Sequence, residues 1–223
     1  MSPLRTIWLR PGETVRAIAH ENPGYRVFSL PIIAGFCVLP STALLNPRSI
    51  DEPVGFLMGS IFAFGPLLEL LQLFVGAYLL RVTGAWLGGS ASSTRLQTTI
   101  AWSNVPIVVL GIIGIAVLFA SSAIAFENEE WLSWGSTPAI NLVGFALVAL
   151  QVVFVVWSGL IFLTGLAALQ RFSLARAIVN AALAWGIVAS AIVAVLLLSG
   201  LADMVTSVFF SGFEPWLGSD GGE

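Results

Sequence analysis

Few residues in this chain could do chemistry, and Glu69 is the foremost of them. It stands near the centre of a long apolar run with Gln72 three residues on. Gly65, Glu69, Gln72 and Gly76 fall at i, i+4, i+7 and i+11, which is one helix face. Gly144, Gln151, Ser158 and Gly165 recur at intervals of seven and make a second face. Small and polar residues line helix contacts in membranes, because backbones approach and side chains hydrogen-bond there. The two faces are expected to pack together, with Glu69 bonded to Gln151 or a neighbouring hydroxyl. A carboxylate at that depth costs roughly 2.5 kcal/mol or more on insertion scales. No Arg or His lies in any apolar run to pair with it, so the neutral acid is expected. It then serves either as a hydrogen-bond donor fixing helix register or as a group that exchanges protons or binds substrate in transport.

Other constellations fail by count. The chain has no Lys, one His (His20) and one Cys (Cys37). Schiff-base chemistry and a G-x-x-x-x-G-K-[ST] loop both need a Lys. A zinc site needs three or four ligands, and one His with one Cys cannot build the usual nitrogen–sulfur version. There is no G-x-S-x-G elbow. No catalytic, cofactor or metal site is expected. Glu127, Glu129 and Glu130 stand beside Trp131 and Trp134, and they read as a solvated loop rather than converging cation ligands. Gly88-Gly89 reads as a flexible turn, with a backbone phosphate cradle the less favoured role.

The elements that must position these residues follow from composition. The 223 residues are 57% hydrophobic and 9% charged, with a mean hydropathy of +0.96. Soluble domains carry about 25% charged residues, so the chain is read as an integral membrane protein. A net charge of -3 with scattered Arg offers no basic face for nucleic acid. A span needs about 20 apolar residues. Five runs qualify, at about 27–45, 54–80, 105–126, 140–169 and 177–202. The expected fold is an all-α polytopic transmembrane bundle, with residues 27–210 as its membrane domain. An arm (1–26) precedes it and an acidic external tail (211–223) follows.

Arginines then set the orientation. The arm holds Arg5, Arg10, Arg16 and Arg26; the second-to-third connection holds Arg81 and Arg95; the fourth-to-fifth holds Arg171 and Arg176. The opposite side holds only Arg48, with most of the acids. Positive residues stay cytoplasmic. The N-terminus is therefore expected inside and the C-terminus outside, in a bacterial inner membrane.

In the arm, Pro11 suits a helix start, and Val15, Ile18 and Ala19 share a face. Asn22-Pro23-Gly24 should end that helix, and the expected element is a short amphipathic helix on the surface. Ser93 or Thr94 should cap a further interfacial helix through Trp102, which passes into the third span at Pro106. Ser173 should cap the last helix.

These pieces resemble a known family. Trp8-x-x-Pro11-x-x-Thr14-x-Arg16-x-Ile18, followed by Asn22-Pro23, resembles the bacterial branch of the Yip-one (Ypt-interacting protein) domain family. Gly88-Gly89, then Leu96 through Trp102 and Pro106, resembles its central cytoplasmic stretch. Gly165-Leu166, Phe172-Ser173 and Arg176-Ala177 resemble its last cytoplasmic turn. The resemblance covers nearly the whole chain. It implies a five-pass helical bundle with the same orientation as the charge count. Eukaryotic members bind prenylated Rab-type GTPases and act in vesicle traffic, but the arm here is much shorter than their cytoplasmic domains. The resemblance thus implies architecture more than task. The expected function is a non-enzymatic membrane scaffold or interaction protein, set in the lipid bilayer with a protein partner or a second copy. Its candidate cytoplasmic surface comprises Trp8, Pro11, Arg16, Gly88, Gly89, Arg95, Arg171 and Arg176. The alternative is a small transporter or channel-like component using Glu69, with Gln72 and Gln151 beside it.

Overall fold

The computed structural model describes the backbone of residues 2–43, 54–125 and 138–211, and the side chains of residues 2–37, 63–116 and 145–201. Among the described residues every regular element is helical. They are α1 (Pro3–Thr6), α2 (Pro11–Glu21), α3 (Ser29–Ala43), α4 (Val54–Trp86), α5 (Ser93–Ser103), α6 (Val105–Ala125), α7 (Pro138–Gln170) and α8 (Leu174–Ser211). The cluster Glu127, Glu129 and Glu130, the lone outer Arg48 and the acidic tail from residue 212 lie outside the described residues.

Among the described residues four stretches are long and apolar enough to cross a membrane: Ala63–Trp86, Ser93–Ala116, Phe145–Gln170 and Leu174–Leu201. Their outward faces are apolar. Leu67, Leu68, Leu71 and Phe74 on α4 are exposed, as are Val152, Val153, Val155 and Val156 on α7. The inside is mixed: Thr83, Thr98, Thr99, Asn104, Gln170 and Asn180 are buried. A continuous apolar outer face over a mixed interior is the reverse of a soluble domain's polar exterior, and a hydrocarbon solvent removes the penalty on that face. The protein is an integral membrane protein.

The chain divides into two compact units, residues 1–181 and 182–223. In the second, Ile192, Val193, Val195, Leu196, Leu197 and Leu198 are all exposed. A helix apolar on consecutive positions has no polar face to give to water.

In the first unit α3 packs on α4 and α6, α4 on α5, and α7 on α2, α5 and α6. Glycines set the closest approaches. A Cβ at Gly35 would lie 2.5 Å from the Gly65 carbonyl carbon and the Pro66 nitrogen. A Cβ at Gly111 would run into Cys37. Backbone-to-backbone packing of this kind is how membrane helices gain dispersion energy without a hydrophobic effect between them.

Two expectations are corrected. The helix through Trp102 is not an exposed surface helix. Leu96, Thr98 and Thr99 through Ser103 are buried, and Trp102 is fully enclosed. Helix α5 therefore sits between α4, α7 and α2. Its N-cap is Ser92, one residue earlier than expected. Nor is the arm helix a free surface element: Thr14, Val15, Ile18 and Ala19 bury the expected face against α5 and α7. A Cβ at Gly12 would sit 3.1 Å from the Thr164 carbonyl oxygen, and Val15 Cγ1 would meet a Cβ at Gly165 at 3.1 Å. Pro11 begins this helix and Asn22 ends it, as the local chemistry requires. The arm leads into α3 through Pro23–Tyr25, which α5 holds. Thr98 Oγ1 donates to the Pro23 carbonyl (3.2 Å) and Trp102 Nε1 to the Tyr25 carbonyl (3.3 Å).

Candidate functional site

Pro106 determines the first polar centre. Its ring removes an N–H and crowds the carbonyl four residues back, which kinks or breaks a helix; α4 carries Pro66 without interruption, whereas here the helix breaks. The break falls at Asn104, between α5 and α6. Breaking the helix frees backbone groups and turns a side chain inward. Asn104 Nδ2 donates to Glu69 Oε2 at 3.1 Å. Ser158 Oγ on α7 donates to the freed Ser103 carbonyl at 2.7 Å. The Gly65–Gly76 face thus turns to Gly35, Asn104 and Ile100, and the α7 face to Ser103 and Thr99. The two faces bond to the joint between them and not to each other. Glu69 is not bonded to Gln151, whose Oε1 is buried without a hydrogen-bond partner. Gln72 is exposed.

This geometry makes a prediction. Glu69→Gln keeps an acceptor for Asn104, so its unfolding in a denaturing-detergent titration should match the parent within about 0.5 kcal/mol. Glu69→Leu orphans the Asn104 amide and should cost about 1–2 kcal/mol. Equal stability of all three chains would remove any structural role for the Glu69–Asn104 bond.

The second polar centre joins the end of α4 to the end of α7 and the start of α8. The Leu80 carbonyl accepts from Gln170 Nε2 (3.2 Å) and from Asn180 Nδ2 (3.3 Å). Thr83 Oγ1 donates to Asn180 Oδ1 (2.5 Å), and the Ala91 N–H donates to Gln170 Oε1 (3.1 Å). Gly84 and Gly89 lie against the Gln170 amide with no room for a Cβ.

Gly88-Gly89 is therefore not a flexible turn. The helix runs on through Arg81 to Trp86 and closes in a Schellman cap. Gly89 N donates to the Gly84 carbonyl (2.8 Å) and Gly88 N to that of Ala85 (3.1 Å). Gly88 takes the left-handed conformation with φ 86°, which that cap position requires. Helix α7 ends in the same way, with Phe172 N donating to the Ala167 carbonyl (2.9 Å). There the left-handed residue is Arg171, φ 58°. A side chain costs roughly 1 kcal/mol in that conformation. Arg171→Gly should raise stability by about 0.5–1 kcal/mol, measured in the same titration.

The third feature is a cavity of about 220 Å³ lined by Arg16, His20, Ser90, Ala91, Arg95 and Arg171, among others. It gathers the arm, the α4–α5 connection and the end of α7. Of the candidate surface residues, Arg16, Arg95 and Arg171 come together here. Trp8 stands edge-on to Phe154 of α7, with ring centroids 6.1 Å apart, so it fastens the arm. Pro11 starts α2. Arg176 is exposed and lies outside this lining; its N–H donates to Ser173 Oγ at 3.4 Å, the expected cap.

Sequence reasoning missed Asn104, Gln170, Asn180 and Thr83, and placed His20 at no site. The available signal was an amide standing alone in an apolar stretch, as Asn180 does. Among the described residues no group of three or more His, Cys, Asp or Glu converges on a metal position.

The sequence model of the Yip1 domain matches residues 5–196. No curated protein and no solved structure matches the chain. The match spans the arm helix, both polar centres and most of the last helix, and the chain belongs to the Yip1 domain family.

Proposed function

We propose that the protein is a five-pass, non-enzymatic scaffold of a bacterial inner membrane, with its N-terminus in the cytoplasm and its C-terminus outside. Its arm-side end engages a protein partner or a second copy of the chain. Helices α3, α4, α6, α7 and α8 supply the five crossings, with α5 folded among them. The observation that carries this reading is the convergence of Arg16, Arg95 and Arg171 on one cavity. A five-span plan puts the arm and the two Arg-bearing connections on one side, and the positive residues retained there are cytoplasmic. On the arm Leu9 is 87% exposed, an apolar side chain that the chain itself leaves open.

Topology is tested with Ser2→Cys and Ser219→Cys, labelled in intact cells by a membrane-impermeant thiol reagent. Labelling of Ser219→Cys alone is expected; the reverse, or both, overturns the orientation. The scaffold reading is tested by crosslinking intact membranes and weighing the purified complex. A stoichiometric partner or second copy that Leu9→Asp releases is expected. A single chain with no stoichiometric companion overturns the reading.

A further inference from the structure

The geometry points to a phosphate-binding pocket in which Arg16, Arg95 and Arg171 hold the phosphate group of a lipid headgroup or of a small soluble phosphate. This goes beyond the scaffold reading and does not depend on any protein partner.

Three guanidinium groups and an imidazole line the cavity, and no carboxylate does. The described ion pair on this end, Arg10–Glu13, uses neither Arg16, Arg95 nor Arg171. The three side chains are exposed, so water and salt soften their mutual repulsion, but the cluster presents concentrated positive charge to an arriving anion. Arginine suits phosphate best, since its planar fork donates two parallel hydrogen bonds to two oxygens. The same polarity comes from α5. Its first turn starts two residues after Ala91, its Ser92 cap makes no side-chain hydrogen bond, and a helix start carries a partial positive charge. Ser90 adds a hydroxyl on the lining.

Arg171 also has an unusual backbone. It occupies the left-handed cap position that glycine fills at the end of α4. The chain bears that strain with an arginine that lines the cavity. Arg26 shares that conformation outside the cavity, so the strain alone marks no site; Arg171 differs in lining the cavity with Arg16 and Arg95. Size also discriminates. At about 220 Å³ the cavity is below the roughly 300 Å³ of pockets for drug-sized ligands. It suits a phosphate with little attached, such as a phosphomonoester headgroup.

The full chain in phosphatidylcholine nanodiscs would be titrated with radiolabelled inorganic phosphate by equilibrium dialysis. In parallel, nanodiscs with and without phosphatidic acid would be compared by native mass spectrometry for retained lipid. Saturable binding of at least one probe is expected. Retention of phosphatidic acid alone assigns a lipid headgroup; phosphate uptake without lipid preference assigns a soluble ligand. Arg95→Gln should weaken the binding about tenfold or more, whereas Arg176→Gln should leave it within about twofold. Arg171→Gly should lose binding while gaining stability, which separates a lost ligand contact from misfolding. Absence of saturable binding by both probes overturns the proposal. So does equal weakening by Arg95→Gln and Arg176→Gln, which would mean diffuse surface charge.

Discussion

Gly35→Val is expected to lower the stability of the folded chain by about 3 kcal/mol, the steepest loss among these substitutions. A β-carbon at this position would meet the Gly65 carbonyl carbon and the Pro66 nitrogen at 2.5 Å. Both are backbone atoms, so no side chain can rotate away. The helices must separate, and separation discards dispersion contacts that nothing replaces. The cost also spreads, since α3 carries Cys37 against Gly111 of α6 two residues further on. Detergent-titrated unfolding followed by circular dichroism reads the change. Gly159→Ala is the control. No atom lies within 4 Å of a β-carbon there, so this helix position should gain about 0.5–1 kcal/mol. A Gly35→Val chain as stable as its parent would mean that α3 and α4 do not cross at Gly35 and Gly65.

Gln170→Leu should cost about 2–3 kcal/mol. The Gln170 amide takes the Ala91 N–H and donates to the Leu80 carbonyl, and it is buried. Leucine fills a similar volume but leaves the Ala91 N–H without its partner. An orphaned buried donor costs about 1–3 kcal/mol. The Leu80 carbonyl keeps its bond from Asn180, which is why the loss stays within this range. Hydrogen exchange at the Ala91 amide should accelerate along with the loss of stability. Gln72→Leu exchanges the same residue types at an exposed position of α4 and should stay within about 0.5 kcal/mol. Equal responses of the two variants would count against the buried amide centre.

The apolar helices were legible because a hydrocarbon solvent demands long uncharged runs. Pro11, Asn22 and the Val15–Ile18–Ala19 face were legible because they act locally. The place of α5 was not. Its sequence mixes Thr98, Thr99 and Ser103 with Trp102, which resembles a surface helix when water is the assumed solvent. In a membrane bundle the polar residues turn inward, so the amphipathic pattern reverses its meaning. Long-range partners were beyond reach for another reason. Nothing local distinguishes Asn104 from Gln151 as the donor to Glu69; the helix break before Pro106 decides it. Gly88-Gly89 illustrates a third gap. A glycine pair signals an unusual backbone, but only the bonds to Gly84 and Ala85 distinguish a fixed cap from a loose hinge. The meeting of Arg16, Arg95 and Arg171 in one cavity needed α5 and α7 in place.

The docking of α2 on α7 also sets an order of events during synthesis. The arm leaves the ribosome well before α7, yet Gly12 and Val15 rest on Thr164 and Gly165. At about 5–20 residues per second, the seat for the arm emerges on the order of ten seconds later. Through that interval Val15, Ile18 and Ala19 lack the larger part of their cover, since of their two neighbours only α5 has emerged, and the bilayer surface or a chaperone must shelter the rest. The arm thus waits for α7 before it finds its place, and a nascent chain halted before α7 would carry an unseated arm.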